Sequence, residues 1–322
     1  MQFFTPVNIP KLELQIDYNA DVLLIGSCFA ENIARKLSFY QFRHTLNPWG
    51  ILFHPLAIEK LLVTALEKES LNDEHIFCHQ EIWRSFDTHS SLNALSKENM
   101  MTLLHQQTDE MGDKIRQATH IVITLGTAWA YRNKISQKYV ANCHKIPQSE
   151  FSKELLSVEE IYRSLKNIVD GIKSVNPACQ LIFTISPVRH IKDGIVENQR
   201  SKAHLIASLH EFLYNEKSGK CYYFPAYEIM MDELRDYRFY AEDKLHPNQT
   251  AIDFIWEKFT ESCIDVKVLD DMKKVEEIQK SLQHKPFNPN AENHQKFLLN
   301  LQQKIKQLEQ KFPFMNFVDK TE

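Results

Sequence analysis

The chain has 322 residues, 43% of them hydrophobic and 25% charged, with a formal net charge of −4. That length suits one large α/β domain with an appendage, or two domains, and the composition is that of a chain with a buried core. Basic residues form no long block, which argues against a nucleic-acid-binding protein, and no apolar run reaches the roughly 20 residues that cross a bilayer.

The opening stretch MQFFTPVNIPKLELQIDYN lacks a basic start followed by an apolar run, so no signal peptide is recognised and the expected location is the cytoplasm. DVLLIG (21–26) reads as a buried strand, and AENIARKLSFY (30–40) as a helix with Ile33 and Leu37 on its inner face. Residues 55–68 form a second helix opened by Pro55, 75–86 are extended, and 91–117 are helical. HIVITLG (120–126) is the next buried strand, and a long irregular stretch follows over 127–151. A helix over 158–175, a strand over 179–186, a helix over 198–216 and a short strand within 221–230 come next. Residues 236–248 are loop and 250–263 helix.

Short apolar strands alternating with helices imply a mostly parallel sheet between helix layers, whose ligands sit beyond the strands' carboxyl ends. GSC, LGTAW and SPVRH all follow a strand at that end. Three of only seven glycines lie in GSCFA, NPWG and LGTAW, where backbone geometry demands glycine. Beyond residue 265 the chain turns charged and helical, breaks at HKPFNPN (284–290), and resumes with Phe297, Leu301, Ile305, Leu308 and Phe312 as one apolar stripe. That stripe suits a helical hairpin packed on the domain or, alternatively, a self-association arm.

Ser27 ends a strand and opens a helix, beside unsatisfied backbone N–H groups that can hold an oxyanion. By itself it could equally be a helix cap. Asp243 and His246, three apart in DKLHPN, change the balance, because one loop can set the carboxylate on one imidazole nitrogen and leave the other free. Ser27 is therefore the expected nucleophile, with neighbouring Cys28 turned inward as a small buried hydrophobe. The six cysteines (Cys28, Cys78, Cys143, Cys179, Cys221, Cys263) lack CxxC spacing and are expected as free thiols.

Gly26-Ser27-Cys28-Phe29-Ala30 resembles the signature of the GSCFA-domain proteins, which are similar to the SGNH/GDSL hydrolases. The likeness continues through NPWGILFHP (47–55), FDTHS (86–90), LGTAW (125–129), VANCHKIP (140–147), SPVRH (186–190), ENQRSK (197–202) and DKLHPN (243–248), most of residues 1–265. It implies a three-layer α/β/α sandwich with a flavodoxin-like, SGNH-type sheet over 1–265, and a helical extension over 266–322. It also implies Ser27 as nucleophile, His246 as base, Asp243 as orienting acid, and the N–H groups of Ser27 and Gly50 as oxyanion donors. The superfamily's Gly-x-Asn is absent after the next strand, where Gly126 is followed by Thr127, Ala128 and Trp129. Either Thr127, Asn47 or Asn142 supplies that donor, or the oxyanion hole is weak, or the chemistry differs from simple ester hydrolysis.

Asp87 and His89 in FDTHS, and Asn142, Cys143, His144 and Lys145 in ANCHK, read as substrate-recognition loops ahead of a structural role, with a metal site last. The expected substrate-binding set is Asn47, His89, Trp129, Asn142, His144, Lys145 and Arg189, which suits an anionic or polyhydroxylated ligand. The implied activity is a serine esterase acting on a small-molecule or glycan ester, with no cofactor, metal, nucleic acid or membrane. An O-acyltransferase using the same triad, and a non-catalytic binding module, are the alternatives.

Overall fold

The computed structural model describes residues 5–67, 71–284, 287–288 and 290–317. The first four residues, Lys68 at the end of the second expected helix, and Lys285, Pro286 and Pro289 of the HKPFNPN break lie outside them. Five parallel strands form the main sheet: β1 (Val22–Gly26), β2 (His44–Leu46), β5 (His120–Leu125), β9 (Gln180–Ile185) and β10 (Cys221–Tyr223). Their spatial order is β10-β9-β5-β1-β2, the flavodoxin-like arrangement.

Side chains alternate across the sheet, and both faces are covered, which is why the strands read as unbroken apolar runs. Val22, Leu24, Val122 and Ile182 face one core with α1 (Phe29–Phe39), α7 (Gln249–Cys263), α8 (Leu269–Leu282) and α9 (Glu292–Lys311). Leu23, Ile25, Ile121, Ile123, Leu181 and Phe183 face the other, with α2 (Pro55–Glu67), α3 (Lys97–Gln117), α4 (Val158–Val175) and α5 (Ile195–Asn215). Each fully buried aliphatic or aromatic side chain contributes about 1.5–3 kcal/mol. The short α6 (Ala226–Glu228) follows β10.

Two expectations are corrected. Helix α3 starts at Lys97 rather than 91, because Ser96 caps it by accepting the Asn99 N–H at 3.1 Å. The stretch read as irregular is ordered: β6 (Trp129–Asn133), β7 (Tyr139–Val140) and β8 (Phe151–Leu155) make an antiparallel sheet beside the main one. Its turn is set by Asn133, whose carboxamide oxygen accepts the N–H groups of Ile135 and Ser136. A hairpin of β3 (Phe77–His79) and β4 (Ile82–Arg84) occupies the segment expected to be extended. No helix among the described residues is long and apolar enough to cross a membrane.

The chain leaves β1 toward β2 on one side and returns through β5 on the other. Such a reversal opens a crevice at the carboxyl ends of β1 and β5. GSC and LGT both emerge there.

Candidate active site

Gly26 ends β1 at φ +126°, and a Cβ there would sit 2.1 Å from the Thr124 carbonyl oxygen, so only glycine fits. Its N–H donates to Asn47 Oδ1 at 2.8 Å, and the Ser27 N–H donates to the Thr124 carbonyl at 3.0 Å. Ser27 is 0% exposed, and its hydroxyl accepts the Phe29 N–H at 3.4 Å. Gly126 makes room for it, since a Cβ on Gly126 would lie 3.1 Å from Ser27 Cβ. Among the described residues Ser27 makes no hydrogen bond to His246.

The neighbouring side chain takes the position expected of Ser27. Cys28 is part-exposed, and its Sγ lies 4.0 Å from His246 Nε2. His246 Nδ1 lies 2.6 Å from Asp243 Oδ2, while Asp243 Oδ1 accepts the N–H groups of Leu245 at 2.8 Å and His246 at 3.0 Å. These contacts from His246 and Leu245 hold the Asp243 carboxyl down to about 2. The pair thus presents Nε2 to the thiol. Burial pushes the Cys28 thiol above its ordinary value, and Glu31 adds to this. Lys202 and the N–H groups of Cys28 and Phe29 pull it back. Cys28 is thus half-buried against the core of α1 and α7, as a small apolar residue would be, while its sulfur also faces His246. Strand alternation placed the two side chains apart, and the turn at Gly26 decided which one faces the loop.

Both expected oxyanion N–H groups are committed elsewhere, that of Ser27 to Thr124 and that of Gly50 to the Asn47 carbonyl at 2.7 Å. The Thr127 N–H donates to the Phe53 carbonyl, and its hydroxyl bonds Ser201 Oγ at 2.9 Å. Asn47 Nδ2, by contrast, is buried without a partner while its carboxamide oxygen is pinned to Gly26. The Cys28 N–H has no carbonyl partner among the described residues. The Cys28 N–H lies in the turn itself, and Asn47 reaches that turn through its contact with Gly26.

A cavity of about 430 Å³ is lined by Phe53, Thr127, His190, Trp129, Asn142 and Lys145; neither Cys28 nor His246 lines it. The other members of the expected binding set lie elsewhere. His144 is buried against Phe77, with Nε2 2.6 Å from the Ser85 carbonyl, and burial lowers it to about 4. Arg189 lies over the rings of Tyr237 and Tyr240, and its N–H donates to the Leu245 carbonyl at 3.2 Å, so it braces the Asp243–His246 loop. His89 packs its Cβ where a side chain on Gly50 would go, and its Nδ1 meets Ser91 Oγ at 3.0 Å.

Sequence reasoning gave no role to Lys202, His190 or Asn198. Lys202 sits in α5 on the same inward stripe as Asn198, Leu205 and Leu209, and a lysine in an otherwise inward pattern was the available signal. Asn198 Oδ1 accepts the His190 N–H at 2.8 Å and fixes the loop after β9.

Solved structures that match the chain include the following two. A carbohydrate esterase family 3 protein from Talaromyces cellulolyticus shares 8% identity, covering 79% of this chain and 98% of that one, at a TM-score of 0.37. An acetyl esterase mutant with acetate ion shares 12% identity, covering 80% and 99%, at a TM-score of 0.32. No curated protein matches the chain. The C-terminal domain model of GSCFA domain proteins matches residues 275–322, and the GSCFA family model matches residues 21–259. The chain belongs to the GSCFA family.

Proposed function

We propose that this protein hydrolyses acyl esters through a covalent acyl-enzyme, with Cys28 as nucleophile, His246 as general base and acid, and Asp243 as the residue that orients the imidazole. One observation carries the reading. An imidazole locked by a carboxylate at 2.6 Å presents its other nitrogen 4.0 Å from a thiol, at the carboxyl end of a central parallel strand. Such contacts tighten when substrate binds.

Because burial keeps the thiol protonated, Nε2 takes its proton as Sγ bonds to the acyl carbon. The carbonyl electrons move to oxygen, where the Cys28 N–H and Asn47 Nδ2 are the available donors. Collapse breaks the bond to the alcohol oxygen, which leaves with the proton from Nε2. Water then attacks the thioester, gives a proton to Nε2, and the departing sulfur recovers it as the carboxylic acid is released. The cavity whose wall includes Thr127 and His190, with Trp129, Phe53, Asn142 and Lys145, is the candidate pocket for the remainder of such an ester.

The rival assignment, with Ser27 as nucleophile, differs in one substitution. With p-nitrophenyl acetate as substrate, Cys28→Ala is expected to lower turnover at least about 10³-fold. Ser27→Ala, if folded, is expected to stay within about tenfold of wild type. Mass spectrometry of acid-quenched enzyme should find the acetyl group on Cys28. Acetyl on Ser27, or full turnover by Cys28→Ala, would overturn the assignment.

A further inference from the structure

The charge of the candidate pocket is built by three separate segments. In the β6–β8 register Tyr131 lies opposite Lys153, and the Lys153 ammonium sits 5.4 Å from the Tyr131 ring centroid and 5.1 Å from that of Trp129. From the loop after β9, Lys192 reaches the same tyrosine, with Nζ 3.4 Å from its hydroxyl. Lys145 enters from the loop after β7. It follows His144, which is pinned by Asn142 Oδ1 at 2.7 Å and the Ser85 carbonyl at 2.6 Å. Both residues hold left-handed backbone, at φ +50° and +63°, a conformation that side chains rarely adopt without support. All three lysines and both rings line the cavity of about 430 Å³.

Among the described residues Asp193 is the one carboxylate in that wall, and it pairs with Lys153. Lys145 and Lys192 have no carboxylate within ion-pair distance among the described residues. His54 and His190, also in the wall, are kept neutral by burial, at about 4 and about 3. The cavity therefore carries surplus positive charge at neutral pH, and a cleft lined by one sign concentrates ligands of the other. Anionic and polyhydroxylated ligands were both open when the expected cations were His144, Lys145 and Arg189. The structure takes His144 and Arg189 out of the pocket and puts Lys153 and Lys192 into it.

We infer that this pocket selects esters bearing an anionic group, a carboxylate or a phosphate, held by Lys145 and Lys192. As a statement about substrate, the inference rests on the proposal that esters are hydrolysed at Cys28. The pocket wall and the catalytic loop are bonded together. Arg189, next to His190, donates its N–H to the Leu245 carbonyl at 3.2 Å. Lys202 ties the carbonyls of Gly126 and Ser186, each at 2.7 Å, and so fixes the two strand ends that lead to Thr127 and His190. The Trp129 indole N–H donates to the Glu197 carbonyl at 3.2 Å, which holds the ring in place as a flat wall.

Binding is read first, without turnover. Isothermal titration calorimetry of the full chain should show 4-hydroxybenzoate or 4-hydroxyphenyl phosphate binding at least about tenfold more tightly than neutral 4-hydroxybenzamide. The tighter of the two names the anion. Lys145→Gln and Lys192→Gln should each weaken anion binding about tenfold. Both lysines are exposed, so the fold should survive, and circular dichroism checks this. Anions that bind no better than the amide, or equally well in wild type and both folded variants, overturn the inference. With 4-acetoxybenzoate and 4-acetoxybenzamide as substrates, wild type should prefer the anionic ester through KM, and each variant should lose about tenfold of that preference. Equal use of the two esters overturns the inference and leaves the hydrolase proposal standing. Lysine-dependent anion binding in a protein that turns over neither ester would sink the hydrolase proposal and leave the anion site standing.

Discussion

Gly26 turns the chain out of β1 at φ +126°, so Ser27 drops against Gly126 while Cys28 rises toward the loop. Across from it, Asp243 shapes that loop as well as orienting the imidazole, since one oxygen takes two backbone N–H groups and the other takes Nδ1. Its folded value of about 2 lies below the ordinary 3.8, so the carboxylate persists in the folded protein down to about pH 2. Protonation of Asp243 therefore cannot shape activity near neutrality. Asp243→Asn tests the orienting role. An amide can donate to Nδ1, leaving the proton on Nε2, where a base is needed. Turnover should fall on the order of 10⁴-fold with little change in KM. Steady-state kinetics on the folded variant would read this, and a loss under tenfold would remove Asp243 from the chemistry. The Asp-x-x-His pair was legible because both residues lie on one short loop. That the Cys28 sulfur rather than the Ser27 hydroxyl lies within 4.0 Å of His246 was not, because it follows from the shape of the turn after Gly26.

Helix α2 begins with a titratable cap. His54 Nδ1 accepts the Ala57 N–H at 3.2 Å and Nε2 donates to the Val140 carbonyl at 3.1 Å, so the neutral tautomer with its proton on Nε2 satisfies both contacts. Protonation would turn Nδ1 into a donor facing a donor, next to the positive end of the helix dipole. Burial lowers His54 from 6.5 to about 4. Between those values the unfolded chain binds a proton that the folded chain refuses, so stability falls as pH drops from 6.5 toward 4, by roughly 3 kcal/mol for this group. His144 and His190 act in the same sense. His54→Gln keeps a donor for Val140 and removes the titration. Urea unfolding at pH 7 and pH 4.5 should show a smaller acid loss in the variant, and equal losses would remove His54 as a cause. The long helices and four of the five main strands were legible from the sequence because burial on one or both faces writes a clear apolar period; the edge strand β2, three half-buried residues, was not. Strands β6, β7 and β8 were not, since they are short and largely half-buried and carry no such pattern. Lys202 escaped for a related reason: lysine ordinarily marks the solvent face, and here it lies inside.

The C-terminal hairpin completes one of the two cores. Leu301 and Leu308 of α9 are buried in the same cluster as Phe29 and Leu37 of α1, with Phe297, Ile305 and Phe312 packed against it. Phe312 also meets Tyr18 at 4.7 Å between ring centroids, and Lys311 bonds the buried Asp271 of α8 at 2.7 Å. An apolar stripe cannot face its own core and a second chain at once. Any self-association through α9 would therefore have to use its outer face, where Leu299 is 60% exposed. Leu308→Ala leaves a cavity inside the fold and should cost about 2–5 kcal/mol of unfolding free energy without changing the mass in solution. Leu299→Ser touches only the outer face and should change stability by no more than about 0.5 kcal/mol. Denaturant unfolding and light scattering on both variants separate the roles. Lower mass with intact stability in Leu308→Ala would mean that the stripe serves an interface. Lower stability at constant mass would mean that residues 301 and 308 belong to the core beneath α1 and α7, the helices that carry Cys28 at one end and follow His246 at the other.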